Sequence, residues 1–159
     1  MQRAEKSIRI AAPVEQVYNY WHDFSNLPTF MEHVKEVTHL GGNVWHWKLK
    51  GPLNTTFEYD ARITEEQPNK SIGWNSEGES VHTTGVVTFL DLQDNTEVHV
   101  IMQWSHLPGG AMGEKLSGML QNPEAMLEED LRRLKDVLER RLHENVHGSP
   151  VYPANRLQT

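Results

Sequence analysis

The chain has 159 residues, a formal net charge of -7 and no cysteine. That length suits one domain with a substantial core, and the acidic balance, without a basic stripe interleaved with aromatics, argues against a nucleic-acid partner. Without cysteine there is no disulfide framework, thiolate metal site or thiol nucleophile.

No apolar run approaches the ~18 residues needed to span a bilayer, so no stable membrane insertion is expected. The start, Met1-Gln2-Arg3-Ala4-Glu5-Lys6, is charged and unlike a signal peptide. A soluble, cytoplasmic protein is the default expectation.

In chain order, residues 7–10 alternate as a short strand. Pro13 then opens a helix, with Val14, Val17, Tyr18 and Trp21 at helical spacing and an end near His22. Residues 25–31 read as a second short helix or turn. From 34 to 106 the period becomes two, giving strands at 34–40, 44–50, 55–65, 70–76, 83–92 and 96–105. Gly41-Gly42-Asn43 and Gln93-Asp94-Asn95 mark hairpins between them. Residues 111–120 read as a helical lead-in. The long helix follows, running to Leu142, with Asn122 as cap, Pro123 in the first turn, and Leu127, Leu131, Leu134, Leu138 and Leu142 on one face. One domain over 1–146 and a flexible tail over 147–159 complete the organisation.

This order predicts an α+β fold: a seven-stranded curved antiparallel sheet wrapped around a long C-terminal helix, with two short helices after the first strand. Sorting strands by period two places Trp45, Trp47 and Leu49 on one face, with Phe57, Tyr59, Ala61 and Ile63. Ile72, Trp74, Gly85, Val87, Phe89, Val98, Val100, Met102 and Trp104 join that concave, aromatic side. Glu58, Asp60, Arg62, Glu97 and His99 fall on the convex side. The inward set contains no carboxylate and no lysine.

Several motifs resemble a known superfamily. They are Ile10-Ala11-Ala12-Pro13-Val14-Glu15-Gln16-Val17-Tyr18, Asp23-Phe24-Ser25-Asn26-Leu27-Pro28, Trp47-Lys48-Leu49-Lys50-Gly51-Pro52-Leu53, Ile72-Gly73-Trp74-Asn75-Ser76, Pro108-Gly109-Gly110 and Glu129-Asp130-Leu131-Arg132-Arg133-Leu134-Lys135. With the element order, they resemble the START-like, birch-pollen-allergen-like (SRPBCC) superfamily of helix-grip proteins. The bacterial polyketide cyclase/dehydrase branch, which also holds coenzyme Q-binding proteins, is the nearest likeness. It spans about residues 5–143. The aromatic face alone is more simply read as a solid core, whereas the resemblance implies a cavity between sheet and helix.

Three functions follow as expectations: binding or transport of a lipid, isoprenoid or polyketide-like molecule; catalysis of the cyclase/dehydrase kind in the same cavity; and a partner-binding module with a filled interior. The ligand-binding set would be Tyr18, Trp45, Trp47, Phe57, Tyr59, Trp74, Phe89, Met102, Trp104, Leu127 and Leu131. Polar handles would be the Tyr18 and Tyr59 hydroxyls, the indole N–H groups and His22. For catalysis, His22 would act as acid or base and Tyr59 would polarise a carbonyl. No cofactor is implied.

His143 and His147 stand four apart, a spacing two zinc ligands can use, but no third ligand accompanies them and no metal is expected. Gly109-Gly110-Ala111-Met112-Gly113-Glu114-Lys115 fails as a phosphate loop, since its lysine does not follow the last glycine. Its glycines suggest a flap over a cavity mouth. Oligomeric state is left open.

Overall fold

The structure, a computed structural model, describes residues 2–50, 54–78, 82–105 and 122–147. Seven strands form one antiparallel sheet: β1 Gln2–Ile10, β2 Val34–Gly41, β3 Val44–Lys50, β4 Thr56–Gln67, β5 Ser71–Glu77, β6 His82–Asp91 and β7 Thr96–Ser105. Their spatial order is β1-β7-β6-β5-β4-β3-β2, so a meander runs from β2 to β7 and β1 closes against the last strand. Helix α1, Val14–His22, and a 3₁₀ helix, Phe24–Thr29, follow β1. Helix α2, Pro123–His147, lies in the grip of the curved sheet.

β1 begins at Gln2, five residues before the expected start at Ser7. It pairs with β7 along its whole length, from Gln2 opposite Trp104 to Ile10 opposite Thr96. Lys6 had hidden this extension. It shares a face with buried Ala4 and Ile10, yet its ammonium reaches Glu128 of α2 at 3.6 Å. A lysine therefore does stand on the inward side, at the seam between sheet and helix.

Pro13 is the cap of α1 rather than its first residue, because its ψ of 147° is extended. The Asp23 carboxylate accepts from the Ser25 N–H at 3.1 Å and starts the 3₁₀ helix. At α2, the Asn122 side chain accepts from the Ala125 N–H at 3.4 Å, as the cap position requires. The helix runs through His147, one residue into the expected tail; the rest of that tail and residues 106–121, with the lead-in and the glycine-rich flap, lie outside the described residues.

The core lies between the concave face and α2. Leu127, Leu131, Leu134 and Leu138 are all but removed from solvent, each contributing about 1.5–3 kcal/mol by burial. Side-chain bonds tie the layers together: the Ala11 N–H donates to Glu139 of α2 at 2.7 Å, and buried Thr96 donates to the Ala12 carbonyl at 2.8 Å.

Candidate functional site

The aromatic interior divides into two parts. Near α1 it is solid. Trp21, Phe24, Phe30, Trp74 and Phe89 are buried and touch ring to ring, with Trp21–Phe30 centroids 5.1 Å apart and Phe24–Trp74 centroids 5.7 Å apart. Trp47 is the boundary ring. It stacks on Trp74 at 6.3 Å and on Tyr59 at 5.9 Å, and the Tyr59 side borders open space.

That space is a cavity of about 80 Å³ between the sheet and the start of α2. Its apolar wall includes Trp47, Leu49, Met102 and Trp104 from the sheet and Met126 and Leu127 from α2. Met31, His33 and Val34 close it from the segment entering β2, and Ala4 from β1. Tyr59, Thr83, Gln103 and Asp130 supply polar atoms. Ordinary small-molecule sites span about 300–1,000 Å³. A guest larger than a few atoms must therefore displace lining side chains, and three of these are methionines, the most adaptable core residue.

Of the residues expected to bind ligand, Trp47, Tyr59, Met102, Trp104 and Leu127 line this cavity. Trp74, Phe89 and Leu131 instead belong to the packed core. Trp45 is half-buried, stacked on His39 at 4.5 Å and tilted against Phe24 at 5.5 Å. Tyr18 lies among the α1 rings, edge-on to Phe89 at 5.4 Å, and its buried hydroxyl has no hydrogen-bond partner. The Phe57 side chain, and those of His143 and His147, lie outside the described residues.

His22 is not at the cavity. Its ring stacks on Tyr18 at 5.4 Å, its Nε2 bonds the Glu66 carboxylate, and its side chain is 40 % exposed. The expected acid–base pair of His22 and Tyr59 is therefore not assembled: His22 faces solvent at the α1 end, and Tyr59 lines the pocket.

Asp130 is the cavity residue that the sequence reading missed, and it overturns the expectation of an interior without a carboxylate. Its mostly buried side chain accepts from the Glu32 N–H at 3.3 Å and from the Arg133 guanidinium. Arg133 also donates to the Phe30 carbonyl at 3.0 Å and lies 3.6 Å from the Glu32 carboxylate, so α2 holds the cavity wall around Met31 and His33. Burial raises the Asp130 carboxyl to about 6, although both hydrogen-bond donors pull it down. Burial likewise pushes the Tyr59 phenol up to about 12, with the adjacent Thr83 hydroxyl opposing, so the phenol stays protonated at neutral pH. It also lowers the His33 imidazole, favouring the neutral ring.

Comparison with known proteins agrees with this architecture. An uncharacterized 17.2 kDa protein of Streptomyces lincolnensis is 31 % identical over 141 residues, covering 89 % of this chain and 92 % of its own. A Deinococcus radiodurans crystal structure superposes with a TM-score of 0.71 at 26 % identity, over 90 % of this chain and 99 % of that one. The Zhui aromatase/cyclase of Streptomyces sp. R1128 shares the fold at a TM-score of 0.70 and 16 % identity, over 89 % and 95 % of the two chains. A START superfamily protein of Mycobacterium smegmatis does so at 0.68 and 17 %, over 87 % and 97 %. Among the described residues, no helix is long and apolar enough to cross a membrane. The model of a family described as polyketide cyclase/dehydrase and lipid transport matches residues 10–132, and the chain belongs to that family.

Proposed function

We propose that this protein binds a hydrophobic small molecule in the cavity between the sheet and α2. The observation that carries the reading is the open space beside Trp47, walled by Leu49, Met102, Trp104, Met126 and Leu127, in an interior otherwise closely packed. A filled partner-binding module has no use for such a void. The family description, which includes lipid transport, supports the same reading.

A second reading is turnover of a cyclase/dehydrase kind, favoured by one observation. Asp130, at about 6, is able to exchange a proton near neutrality, and it lines the same cavity as the protonated Tyr59 phenol. Asp130 takes the place in this reading that the sequence had offered to His22.

Native mass spectrometry of freshly purified protein, with titration of intrinsic tryptophan fluorescence by apolar ring compounds, tests the proposal. A co-purifying lipid or aromatic, and a saturable fluorescence change lost in Leu127→Trp, are expected. Protein that carries no such guest and shows no saturable change with any of them would overturn it. Tyr59→Phe and Asp130→Asn separate the two readings, because a carrier keeps its affinity in both and an enzyme loses its rate.

A further inference from the structure

Apart from the interior cavity, the corner where β3 gives way to β4 carries an open hollow of about 390 Å³, within the ordinary range of small-molecule sites. Lys35, Lys50, Asn54, Thr55 and Thr56 line it. Two of these side chains are ammoniums, three are neutral hydrogen-bonding groups, and among the described residues no carboxylate joins them. In a chain of net charge -7 this is a local reversal of sign.

These two lysines are also uncompensated. Lys6, Lys48 and Lys135 are held by Glu128, Glu36 and Glu139. Among the described residues, neither Lys35 nor Lys50 has an ion pair with a carboxylate. Lys35 acts on Glu58 only through space, because that carboxylate is engaged by His46 Nε2 at 2.6 Å. Two other surface hollows do not repeat the pattern. Arg141 shares its groove with Asp23, and the outer hollow at Gly73 is lined by Glu65.

Strand pairing sets the lysines side by side. Val34 and Leu49 are cross-strand partners that line the interior cavity, and Lys35 and Lys50 follow them by one residue. The Lys50 N–H donates to the His33 carbonyl at 2.8 Å, which fixes the two stems relative to each other. Two ammoniums and an amide bring more N–H donors than the two oxygens of a carboxylate can accept. A phosphate, with three strong acceptor oxygens and more than a single negative charge, uses them better.

We infer that this hollow is a second site, which takes a phosphate group between Lys35 and Lys50 with Asn54, Thr55 and Thr56 around it. A soluble phosphoester and a phospholipid headgroup present that same chemistry. The site is separate from the interior cavity and does not depend on a guest there.

Chemical-shift titration of the ¹⁵N-labelled intact protein tests it, with glycerol 3-phosphate and acetate as probes at fixed ionic strength. Glycerol 3-phosphate should saturate, move the amide signals of Lys35, Lys50 and Thr56, and bind roughly fivefold or more tightly than acetate. Lys35→Gln and Lys50→Gln should each weaken it about fivefold, the worth of one exposed ion pair at the strong end of its range. Lys70→Gln, which removes an exposed lysine from the β4–β5 turn, should leave it unchanged.

Cosedimentation with phosphatidylcholine vesicles, with and without phosphatidylglycerol, distinguishes the sources. Retention that needs phosphatidylglycerol and falls in both Lys35→Gln and Lys50→Gln assigns the phosphate to a lipid headgroup. Saturable glycerol 3-phosphate binding without retention assigns it to a soluble phosphoester, and either result supports the site. Acetate binding as tightly as glycerol 3-phosphate, or an equal loss in Lys70→Gln, overturns it as bare charge attraction. Neither saturable binding nor lysine-dependent retention overturns it outright, and leaves the interior cavity to its own test.

Discussion

The Trp74 indole occupies the space where a side chain on Gly85 would begin: a β-carbon there would stand 2.3 Å from Trp74 Cζ2 and 2.5 Å from Cε2. The two residues face each other directly across β5 and β6. Trp74 is also wedged between Trp47, Trp21 and Phe24, so it has no free direction in which to retreat. Gly85→Ala should therefore destabilise the fold by about 1–3 kcal/mol or more through overpacking. Thermal unfolding followed by circular dichroism measures it. A melting temperature equal to that of the parent would mean that Trp74 has another place to go.

Asp130 should cost the protein stability at neutral pH. Its folded value of about 6 lies above the ordinary 3.8, so the native state binds the proton more tightly than the unfolded chain. The cost is absent below about pH 4, grows as pH rises toward 6, and is complete above it, on the order of 2–3 kcal/mol. Asp130→Asn keeps an acceptor for the Glu32 N–H and should melt higher than the parent at pH 7.5. The difference should close as pH falls below 4. A lower melting temperature at pH 7.5 would show that the Arg133 bond outweighs burial.

His46 on the convex face should act in the opposite sense. Its Nδ1 lies 2.7 Å from Asp60 and its Nε2 2.6 Å from Glu58, and these hydrogen bonds raise its basicity, Asp60 most. A raised histidine stabilises fully below its unfolded value of 6.5 and loses that contribution as pH climbs through the higher folded value. The partners are nearly half exposed, so the effect should stay under about 1 kcal/mol. The stability gap between the parent and His46→Gln should be widest below pH 6.5 and shrink on alkalinisation. A gap constant with pH would contradict this.

Thr96→Val should cost about 1–3 kcal/mol despite its similar shape. The Thr96 hydroxyl is fully buried and donates to the Ala12 carbonyl at 2.8 Å, so valine leaves that carbonyl without this partner. Urea unfolding at constant m-value gives the number. A change below about 0.5 kcal/mol would mean that the Ala12 carbonyl finds a replacement.

The sheet was readable in the sequence because its two sides differ so sharply in chemistry. Val98, Val100 and Trp104 are buried, while Glu97 and His99, which alternate with the two valines, are half-buried at most, so period two separates them without ambiguity. The cavity was not readable in the same way. Trp74 and Trp47 share a face and a residue type, yet one is packed between rings and the other borders a void. That difference depends on how far apart sheet and helix stand at each end, which no periodicity encodes. Asp130 did leave a trace: it lies three residues after Leu127 and four before Leu134, hence on the edge of the leucine face. Its charge, continuous with that of Glu128 and Glu129, concealed this. His22 misled in the converse way, since its spacing from Tyr18 fits an apolar stripe whose last position the structure turns toward Glu66.

The seating of β1 beside β7 also carries a consequence for synthesis. Within this domain β1 finds its lateral partner only when the segment through Ser105 has been made, and its inward side waits longer still, for α2. Zippering from the amino end is ruled out by this wiring, and maturation is a late, long-range event. The inward side of β1 thus stays uncovered until the carboxy-terminal half of the domain has been made, the kind of exposed apolar surface that chaperones recognise.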